Sequence, residues 1–139
     1  MVEYIYFDNL SDNRGDLYAF EENKSIPFSI KRVYFIFNVG EKIERGFHAH
    51  KSLEQVALCI KGSCSIILDD GFKRQNVVLN TASKGIYIKN NIWREMKNFS
   101  SDCVLCVFAS ELYNESDYIR CYDEFKKSKE GENLDNEIK

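Results

Sequence analysis

Short hydrophobic runs, separated by residues that favour turns, follow one another along most of the chain. Glycine, asparagine and aspartate occupy the gaps, with Asp69-Asp70-Gly71 as the clearest hairpin signal. Runs this short, spaced by about 8–12 residues, are typical of all-β sandwiches and barrels. We therefore predict an all-β fold. The predicted strands cover residues 4–7, 16–20, 30–39, 45–50, 55–60, 63–68, 72–79, 85–88, 93–97 and 102–109.

The pattern changes after Ala109, where the alternation of apolar and polar residues ends. Residues 117–125 could form a short helix, and residues 126–139 are almost all charged or polar. A segment with so few apolar side chains is predicted to be a frayed helix or disordered. We expect one domain over residues 1–126, followed by a charged C-terminal tail over residues 127–139.

Composition and charge exclude some classes of protein. The 139 residues amount to 16.3 kDa, which fits one domain. A net charge of −3 and a pI near 5.5 argue against a nucleic-acid partner. The first residues lack the pattern of a signal peptide, and no apolar run reaches the roughly 18 residues of a membrane span. We expect a cytoplasmic protein without a membrane contact.

Five cysteines form no disulfide framework, because their number is odd and their spacing irregular. Cys103 and Cys106 make a C-x-x-C pattern within a predicted strand. Residues three apart in a strand face opposite sides, so these two thiols should not meet. We predict that both are buried and inert.

His48 and His50 are the two histidines of the chain and lie one residue apart. In a strand they would project from the same face. Such a pair can bind a metal or supply two bases that act on neighbouring substrate atoms. Both histidines could instead be exposed or structural polar residues on a binding loop.

The spacing His48-x-His50-x-x-x-Glu54, followed by Gly62, resembles the first signature of the cupin superfamily. That resemblance implies a small double-stranded β-helix, a jelly-roll-like barrel, with a short C-terminal helix. The second cupin signature would supply a third histidine, but Arg94 stands there, in the run Trp93-Arg94-Glu95-Met96-Lys97-Asn98. Guanidinium cannot ligate a cation. We therefore expect no metal, although two histidines and a glutamate could still form a three-ligand site.

A narrower resemblance covers residues 4–126. In order, and with matching gaps, several motifs resemble those of the bacterial nucleotide-sugar 3,4-ketoisomerases. The motifs are Ile26-Pro27-Phe28-Ser29-Ile30-Lys31-Arg32-Val33-Tyr34, Arg45-Gly46-Phe47-His48-Ala49-His50-Lys51, Leu53-Glu54-Gln55-Val56, Leu68-Asp69-Asp70-Gly71 and Ser116-Asp117-Tyr118-Ile119-Arg120.

The resemblance implies an isomerase that needs no cofactor and acts as a homodimer, with an N-terminal strand that could be exchanged. It implies dTDP-4-keto-6-deoxy-glucose as substrate and a dTDP-3-keto-6-deoxy hexose as product. The product leads to 3-amino-3,6-dideoxy sugars of surface polysaccharides such as lipopolysaccharide O-antigen.

For this chemistry we expect His48 and His50 to transfer protons, because groups with pKa values near 7 suit that task. Tyr34 could relay a proton or form part of the barrel wall. Glu54 could orient an imidazole or be a remnant of the cupin motif. The candidate substrate-binding residues are Arg14, Arg32, Arg45, Lys51, Gln55, Trp93 and Arg94.

These binding candidates have different expected partners, and each has a structural alternative. Arg32, Arg45 and Lys51 could contact phosphate or be solvated surface charges. Trp93 could stack on the ligand or belong to the core. Arg94 could stabilise the enolate charge. Gln55 could contact the ligand or cap its strand.

Product stereochemistry depends on the group beside C4. Many relatives have histidine where this chain has Arg94, and arginine can orient a proton donor but cannot deliver the proton itself. Arg14 matches a variable family position near the same end of the sugar. Arginine at both positions leaves the C4 configuration open, and Arg94 favours the gluco product.

Three other functions remain possible. A 3,5-epimerase of the same pathway would invert carbons without moving the ketone. A metal-dependent cupin dioxygenase would contain a metal in protein purified without chelators. A non-catalytic sugar-binding cupin would bind the nucleotide sugar without exchanging its ring protons.

Overall fold

The computed structural model describes residues 2–138, and side chains through residue 132. Ten strands, a short 3₁₀ turn and one helix follow one another along the chain. They are β1 (Glu3–Tyr6), β2 (Arg32–Phe37), β3 (Arg45–His50), β4 (Gln55–Lys61), β5 (Cys64–Asp69), β6 (Arg74–Leu79), β7 (Lys84–Ile88), β8 (Trp93–Lys97), β9 (Val104–Ala109), the 3₁₀ turn (Glu115–Asp117), β10 (Tyr118–Ile119) and α1 (Tyr122–Ile138).

The strands form two antiparallel five-stranded sheets. One has the order β1-β7-β4-β9-β2 and the other the order β10-β3-β8-β5-β6. Apolar residues from both sheets, such as Ala57 and Leu105 from the first and Ile66 and Met96 from the second, form one continuous core. Facing sheets with a shared core confirm the predicted jelly-roll-like cupin barrel.

The sequence predicted the β5–β6 turn correctly, but it predicted one strand near the N-terminus that the structure lacks. The β5–β6 hairpin turns at the predicted place, where Gly71 has φ +97° and Asp69 accepts its N–H. The predicted strand at residues 16–20 is wrong. Leu10 and Leu17 close a loop through one backbone hydrogen bond, but the aromatic residues Tyr18 and Phe20 pack on the core instead of pairing.

The predicted C-terminal helix is present, but its bounds differ from those expected. Residues 117–119 form the end of a 3₁₀ turn and a short strand, and α1 begins only at Tyr122. The helix then runs to Ile138, through the segment predicted to be frayed or disordered. Phe125 is buried at its first turn, and the Lys126 ammonium donates to the Gly71 carbonyl. Packing of this first turn nucleates the helix, and the lysine and glutamate residues that follow favour its continuation.

A bulge in β3 lies at the end of the barrel that contains the two histidines. The β3–β8 register shifts between Gly46 and His48, and Phe47 adopts φ +60°. Beyond the shift, His48 pairs directly with Arg94. A Cβ on Gly46 would lie 3.0 Å from the Arg94 carbonyl oxygen, so glycine allows the two strands to approach closely here.

Within the described residues, no helix combines the length and the apolar character that a membrane crossing requires.

Candidate active site

His48 and His50 lie side by side inside one end of the barrel, as their spacing predicts. Their ring centroids are 4.9 Å apart, and the Tyr118 ring contacts both, at 4.9 Å from His48 and 4.4 Å from His50. His50 is almost completely buried and His48 is half-buried. The two imidazoles are thus held in a fixed, mostly water-excluded position.

Arg94 brings a full positive charge into the same interior. Its side chain is 0% exposed, and it donates to the Gln55 side-chain oxygen and, at 2.9 Å, to the Ile92 carbonyl. Among the side chains described, through residue 132, no carboxylate forms an ion pair with it, and its Nε has no partner. Burial lowers its pKa to about 10, so the guanidinium remains charged at neutral pH.

Gln55 connects this charge to Tyr34. Its amide nitrogen donates to the Tyr34 hydroxyl oxygen over 2.9 Å, while its amide oxygen accepts from Arg94. Burial is the largest cause that raises the pKa of Tyr34, so the phenol is protonated at neutral pH. Because its oxygen already accepts from Gln55, the Tyr34 hydroxyl proton is available to a ligand.

The same surroundings hold both imidazoles neutral. Burial first, and then the charge of Arg94, lower the pKa of His48 to about 4 and that of His50 to about 2. The expected pKa values near 7 are therefore wrong for the free protein. A neutral imidazole has a free lone pair, so both histidines are in the form from which a base accepts a proton. The lowered pKa also makes each of them a weaker base in the free protein than an exposed histidine.

Two adjoining cavities lead to the histidines. One, of about 700 Å³, is lined in part by His50, Asp117 and Tyr118. The other, of about 440 Å³, is lined in part by His48 and Tyr34. Arg32 and Tyr118 belong to the walls of both. Together the cavities have the volume of a small-molecule site.

Asp117 is a site residue that the sequence analysis did not single out. Its carboxylate lies 3.3 Å from His50 Nδ1 and accepts the backbone N–H groups of Ser52 and Leu53. Asp117 belongs to the Ser116–Arg120 motif, but its role depends on the pairing of β10 with β3, which brings residues 50 and 118 together. No local pattern predicts that pairing.

Of the two alternatives for Glu54, a role in orienting an imidazole is wrong and a remnant of the cupin motif remains. Its carboxylate accepts from the Tyr87 hydroxyl at 2.7 Å, on the side of β4 opposite to Gln55. Gln55 points into the barrel, beside Arg94 and Tyr34. The cupin glutamate position facing the interior is thus filled by an amide, and the third histidine position by a guanidinium. An amide and a guanidinium at these two positions do not form a site that fits a divalent cation.

The predicted binding residues divide into two groups. Arg32 and Arg45 line the smaller cavity, and Gln55 and Arg94 lie in the interior beside it. The Arg32 guanidinium lies 5.2 Å above the Tyr34 ring, and its buried Nε has no partner among the described residues.

Arg14, Lys51 and Trp93 do not reach the cavities. Arg14 is 85% exposed and pairs with Asp12. Lys51 is exposed beyond the end of β3. Trp93 is buried on the outer side of β8, where it packs against Tyr122 and Phe125 and donates to Glu95. Side chains alternate faces along a strand, so Trp93 lies on the outside of the barrel while its neighbour Arg94 lies inside. Trp93 therefore cannot stack on a ligand in the cavities.

The family model described as FdtA, WxcM-like, C-terminal matches residues 1–130. A TDP-4-oxo-6-deoxy-α-D-glucose-3,4-oxoisomerase from Aneurinibacillus thermoaerophilus is 56% identical over 123 residues, 88% of each chain.

Solved structures agree with that match. The sugar 3,4-ketoisomerase QdtA from Thermoanaerobacterium thermosaccharolyticum, in complex with TDP, has a TM-score of 0.92 and 44% identity, covering 94% of this chain and 96% of its own. A histidine-to-asparagine variant of it was solved with TDP-4-keto-6-deoxyglucose. The TDP-quinovose 3,4-ketoisomerase WlaRB from Campylobacter jejuni has a TM-score of 0.86 and 49% identity, covering 91% and 97%.

The family model spans nearly the whole chain, and the relatives are similar over most of their own length. These matches assign the chain to a known class of enzyme. The chain belongs to the FdtA family of cupin-fold sugar 3,4-ketoisomerases, which are isomerases.

Proposed function

We propose that this chain converts TDP-4-keto-6-deoxy-glucose to the TDP-3-keto-6-deoxy sugar. The observation that carries the proposal is the pair of neutral imidazoles next to the unpaired, buried guanidinium of Arg94. Bases that accept a proton, beside a fixed cation that stabilises an oxyanion, meet the needs of an enolisation. The relatives named for this reaction support the choice of substrate.

The first step removes the C3 proton, which the neighbouring C4 ketone makes acidic. The electrons of the C3–H bond form a C3–C4 double bond, and the C4 oxygen becomes an oxyanion. His48 is our choice for the base, because it is half-buried and lines the cavity that also contains Tyr34. Arg94, opposite His48 in the strand register, stabilises the oxyanion.

The second step returns a proton to C4 while the C3 hydroxyl loses its own. Tyr34 is protonated, and its hydroxyl proton is free for a hydrogen bond to a sugar oxygen. We assign to it the transfer of a proton between the two oxygens. The result is a ketone at C3 and a hydroxyl at C4, with no net gain or loss of electrons.

His50 is assigned the proton of the C3 hydroxyl, which it accepts and passes to Tyr34 once Tyr34 has protonated the C4 oxygen, with Asp117 as its positioning residue. The imidazolium of His48 formed in the first step, which exchanges its proton with solvent, returns a proton to C4. The Asp117 carboxylate, 3.3 Å from Nδ1, favours the tautomer that carries its proton on that nitrogen. The Nε2 lone pair is then available to the ligand. The carboxylate would also stabilise the imidazolium that forms when His50 accepts a proton.

Arg32 and Arg45 are proposed to bind the diphosphate. Both line the smaller cavity, and Arg32 is also part of the larger one. Within the described part of the chain neither guanidinium forms an ion pair, so both are free for an anionic ligand.

We propose the gluco configuration at C4 of the product. Arg94 remains protonated beside the reacting carbons and cannot exchange its proton readily at neutral pH. The proton at C4 must therefore come from another group. In this proposal it arrives from the face on which the histidines lie.

The proposal includes a homodimer. β2 is an edge strand, and its outward side chains Val33, Phe35 and Phe37 are about half exposed. An apolar edge of this kind is a surface that a second copy can cover.

We also propose a reducing, cytoplasmic compartment, since the five cysteines are free thiols and nucleotide sugars are made there. The product ketone at C3 is the group that an aminotransferase requires. We therefore place the reaction in the synthesis of 3-amino-3,6-dideoxy sugars for surface polysaccharides such as O-antigen.

Proton NMR of the purified protein with TDP-4-keto-6-deoxy-glucose in D₂O, with a chelator present, tests the proposal. We expect a 3-keto sugar that carries deuterium at C4. In a parallel reaction in H₂O, a large coupling between H4 and H5 would identify the gluco product and a small one the galacto product.

The rival functions give different spectra. A 3,5-epimerase would introduce deuterium at C3 and C5 while the ketone stays at C4. A sugar-binding protein would broaden or shift the ligand resonances without exchange of ring protons. Either result would overturn the proposal.

A further inference from the structure

Three cysteines meet at the end of the barrel opposite to the histidines. They are Cys59 at the end of β4, Cys64 at the start of β5 and Cys103 just before β9. Their three sulfurs lie within 4.8 Å of one another, with Cys59 at 3.6 Å from Cys64 and 3.7 Å from Cys103. All three side chains are buried.

From this geometry we propose that Cys59, Cys64 and Cys103 form a binding site for a soft, thiophilic cation, with Cu(I) as the ligand. Three sulfurs around one ion in a plane, at metal–sulfur bonds of about 2.3 Å, lie about 4.0 Å from one another. Two of the separations, 3.6 and 3.7 Å, lie slightly below this value, and the third is at most 4.8 Å. The ion would therefore fit without a rearrangement of the backbone.

The backbone that presents the sulfurs is held in place by its own contacts. Gly62, between Cys59 and Cys64, has φ +68°, and a Cβ there would lie 2.7 Å from the Cys103 Cα. The turn can approach Cys103 because residue 62 has no side chain. Reciprocal hydrogen bonds of 2.9 Å, in which the Ser63 N–H donates to Ser100 Oγ and the Ser100 N–H to the Ser63 carbonyl, fasten the two turns together.

The surroundings determine which cation would bind. The neighbours of the sulfurs in the core are apolar, including Leu79, Leu105 and Phe99. An all-sulfur, three-coordinate and dehydrated site favours Cu(I), which accepts trigonal sulfur ligands. Zinc and harder cations prefer a fourth ligand or oxygen donors.

Binding involves no redox change. Each thiol that binds as a thiolate exchanges its S–H bond for a copper–sulfur bond and releases its proton to water. Copper enters and remains as Cu(I). Because the two turns cover the sulfurs, loading requires them to open briefly, and we expect it to be slow.

The other two cysteines provide matched controls. Cys106 is also buried but lies in a different cluster, with Val56 and Leu58, and Cys121 is exposed. The full chain with C106A and C121A keeps the three clustered thiols alone. Anaerobic titration of this protein with Cu(I), against a chromophoric Cu(I) chelator, measures affinity and stoichiometry.

We expect one Cu(I) per chain and an affinity at least about 100-fold above that of the same protein with Cys59→Ala added. Cys103→Ala is the second variant, in case Cys59→Ala does not fold. X-ray absorption of the loaded protein, which needs no change in the cluster, should show three sulfur neighbours. Equal affinity with and without Cys59, or fewer than three sulfur neighbours, would overturn the proposal.

Discussion

The two ends of this barrel are built from the same strands but have opposite characters. On β4, Gln55 faces the interior beside Arg94, and Cys59, four residues further along the same face, lies among apolar side chains. A strand rises about 3.3 Å per residue, so about 13 Å separate these positions. We call the two regions the histidine end and the cysteine end.

The energetic difference between these ends follows from their polar groups. At the histidine end, Arg94 has no carboxylate partner and its Nε forms no hydrogen bond among the described residues. Neither nitrogen of His50 forms a hydrogen bond there, although the Asp117 carboxylate lies 3.3 Å from Nδ1. Such groups cost free energy that the rest of the fold must offset. At the cysteine end, weakly polar thiols contact one another in a close-packed core. Chemistry is therefore concentrated where the structure is least optimised for stability.

The largest expected effect is on catalysis at the histidine end. His48→Asn should lower kcat by about 10²–10⁴, since it removes the proposed base while its half-buried position tolerates a smaller polar side chain. Product formation followed by NMR measures the change, and circular dichroism checks the fold. A kcat within about tenfold of the parent would exclude His48 as the base.

Arg94→Met would separate the catalytic role of the buried charge from any structural one. We expect kcat to fall about 10²–10³-fold, because the oxyanion loses its cation. The free energy of unfolding should change little, because removal of a buried charge without a carboxylate partner offsets the loss of the hydrogen bonds to Gln55 and Ile92. Enzyme kinetics and urea denaturation measure the two quantities. Arg94→Lys is the control that keeps a charge, and a large loss of stability in Arg94→Met would contradict the account.

His50 should make the fold sensitive to acid. Its folded pKa, about 2, lies below the unfolded value of about 6.5, so the unfolded chain takes up a proton first as the pH falls. The contribution to stability is complete above pH about 6.5 and declines by about 1.4 kcal/mol per pH unit below it, down towards the folded pKa. His50→Gln should remove this part of the slope in urea melts at several pH values. An unchanged slope would show that His50 is not buried in its neutral form.

At the cysteine end we expect the opposite of the His48→Asn result, namely a loss of stability with unchanged catalysis. Cys59→Ala removes a buried sulfur, so the free energy of unfolding should fall by about 1–2 kcal/mol while kcat stays the same. Urea denaturation and the NMR assay measure the two effects on one preparation, with Cys121→Ala as the exposed control. A large loss of kcat with intact folding would show that the two ends are coupled.

The smallest effect is expected for Arg14, which is exposed and pairs with Asp12. In a monomer or in a dimer formed through β2, Arg14→Ala should change neither kcat nor the product configuration. If the C4 configuration changes, a second chain brings residue 14 to the sugar, and the proposed dimer geometry is wrong. The H4–H5 coupling of the product measures this outcome.

Much of the fold could be predicted from the sequence because alternation of side chains is a local property. The β5–β6 hairpin and the shared face of His48 and His50 followed from turn residues and from a period of two. A C-terminal helix was also predicted, but its start at Tyr122 and its length were not, because the polar tail has no apolar stripe and the helix is anchored by the tertiary contacts of Phe125.

The errors at the site have a physical cause of a different kind. Glu54 directly precedes β4 and Gln55 is its first residue, and a shift of one residue exchanges the inner face for the outer one. Asp117 is brought beside His50 by contacts between segments distant in sequence. In the same way, and at the other end of the barrel, Cys103 is brought beside Cys59 and Cys64. Pairwise distances of this kind, and the desolvation that lowers the histidine pKa values, depend on the complete structure.

The most direct test of the account is an NMR titration of His48 and His50 in the protein without ligand, since the chain has no other imidazole. We expect that the Cε1 proton resonances of His48 and His50 do not shift between pH about 8 and 5, and that Arg94→Met raises both histidine pKa values. Midpoints near pH 6.5 in the parent protein, unchanged by Arg94→Met, would contradict the claim that burial and Arg94 hold both imidazoles neutral.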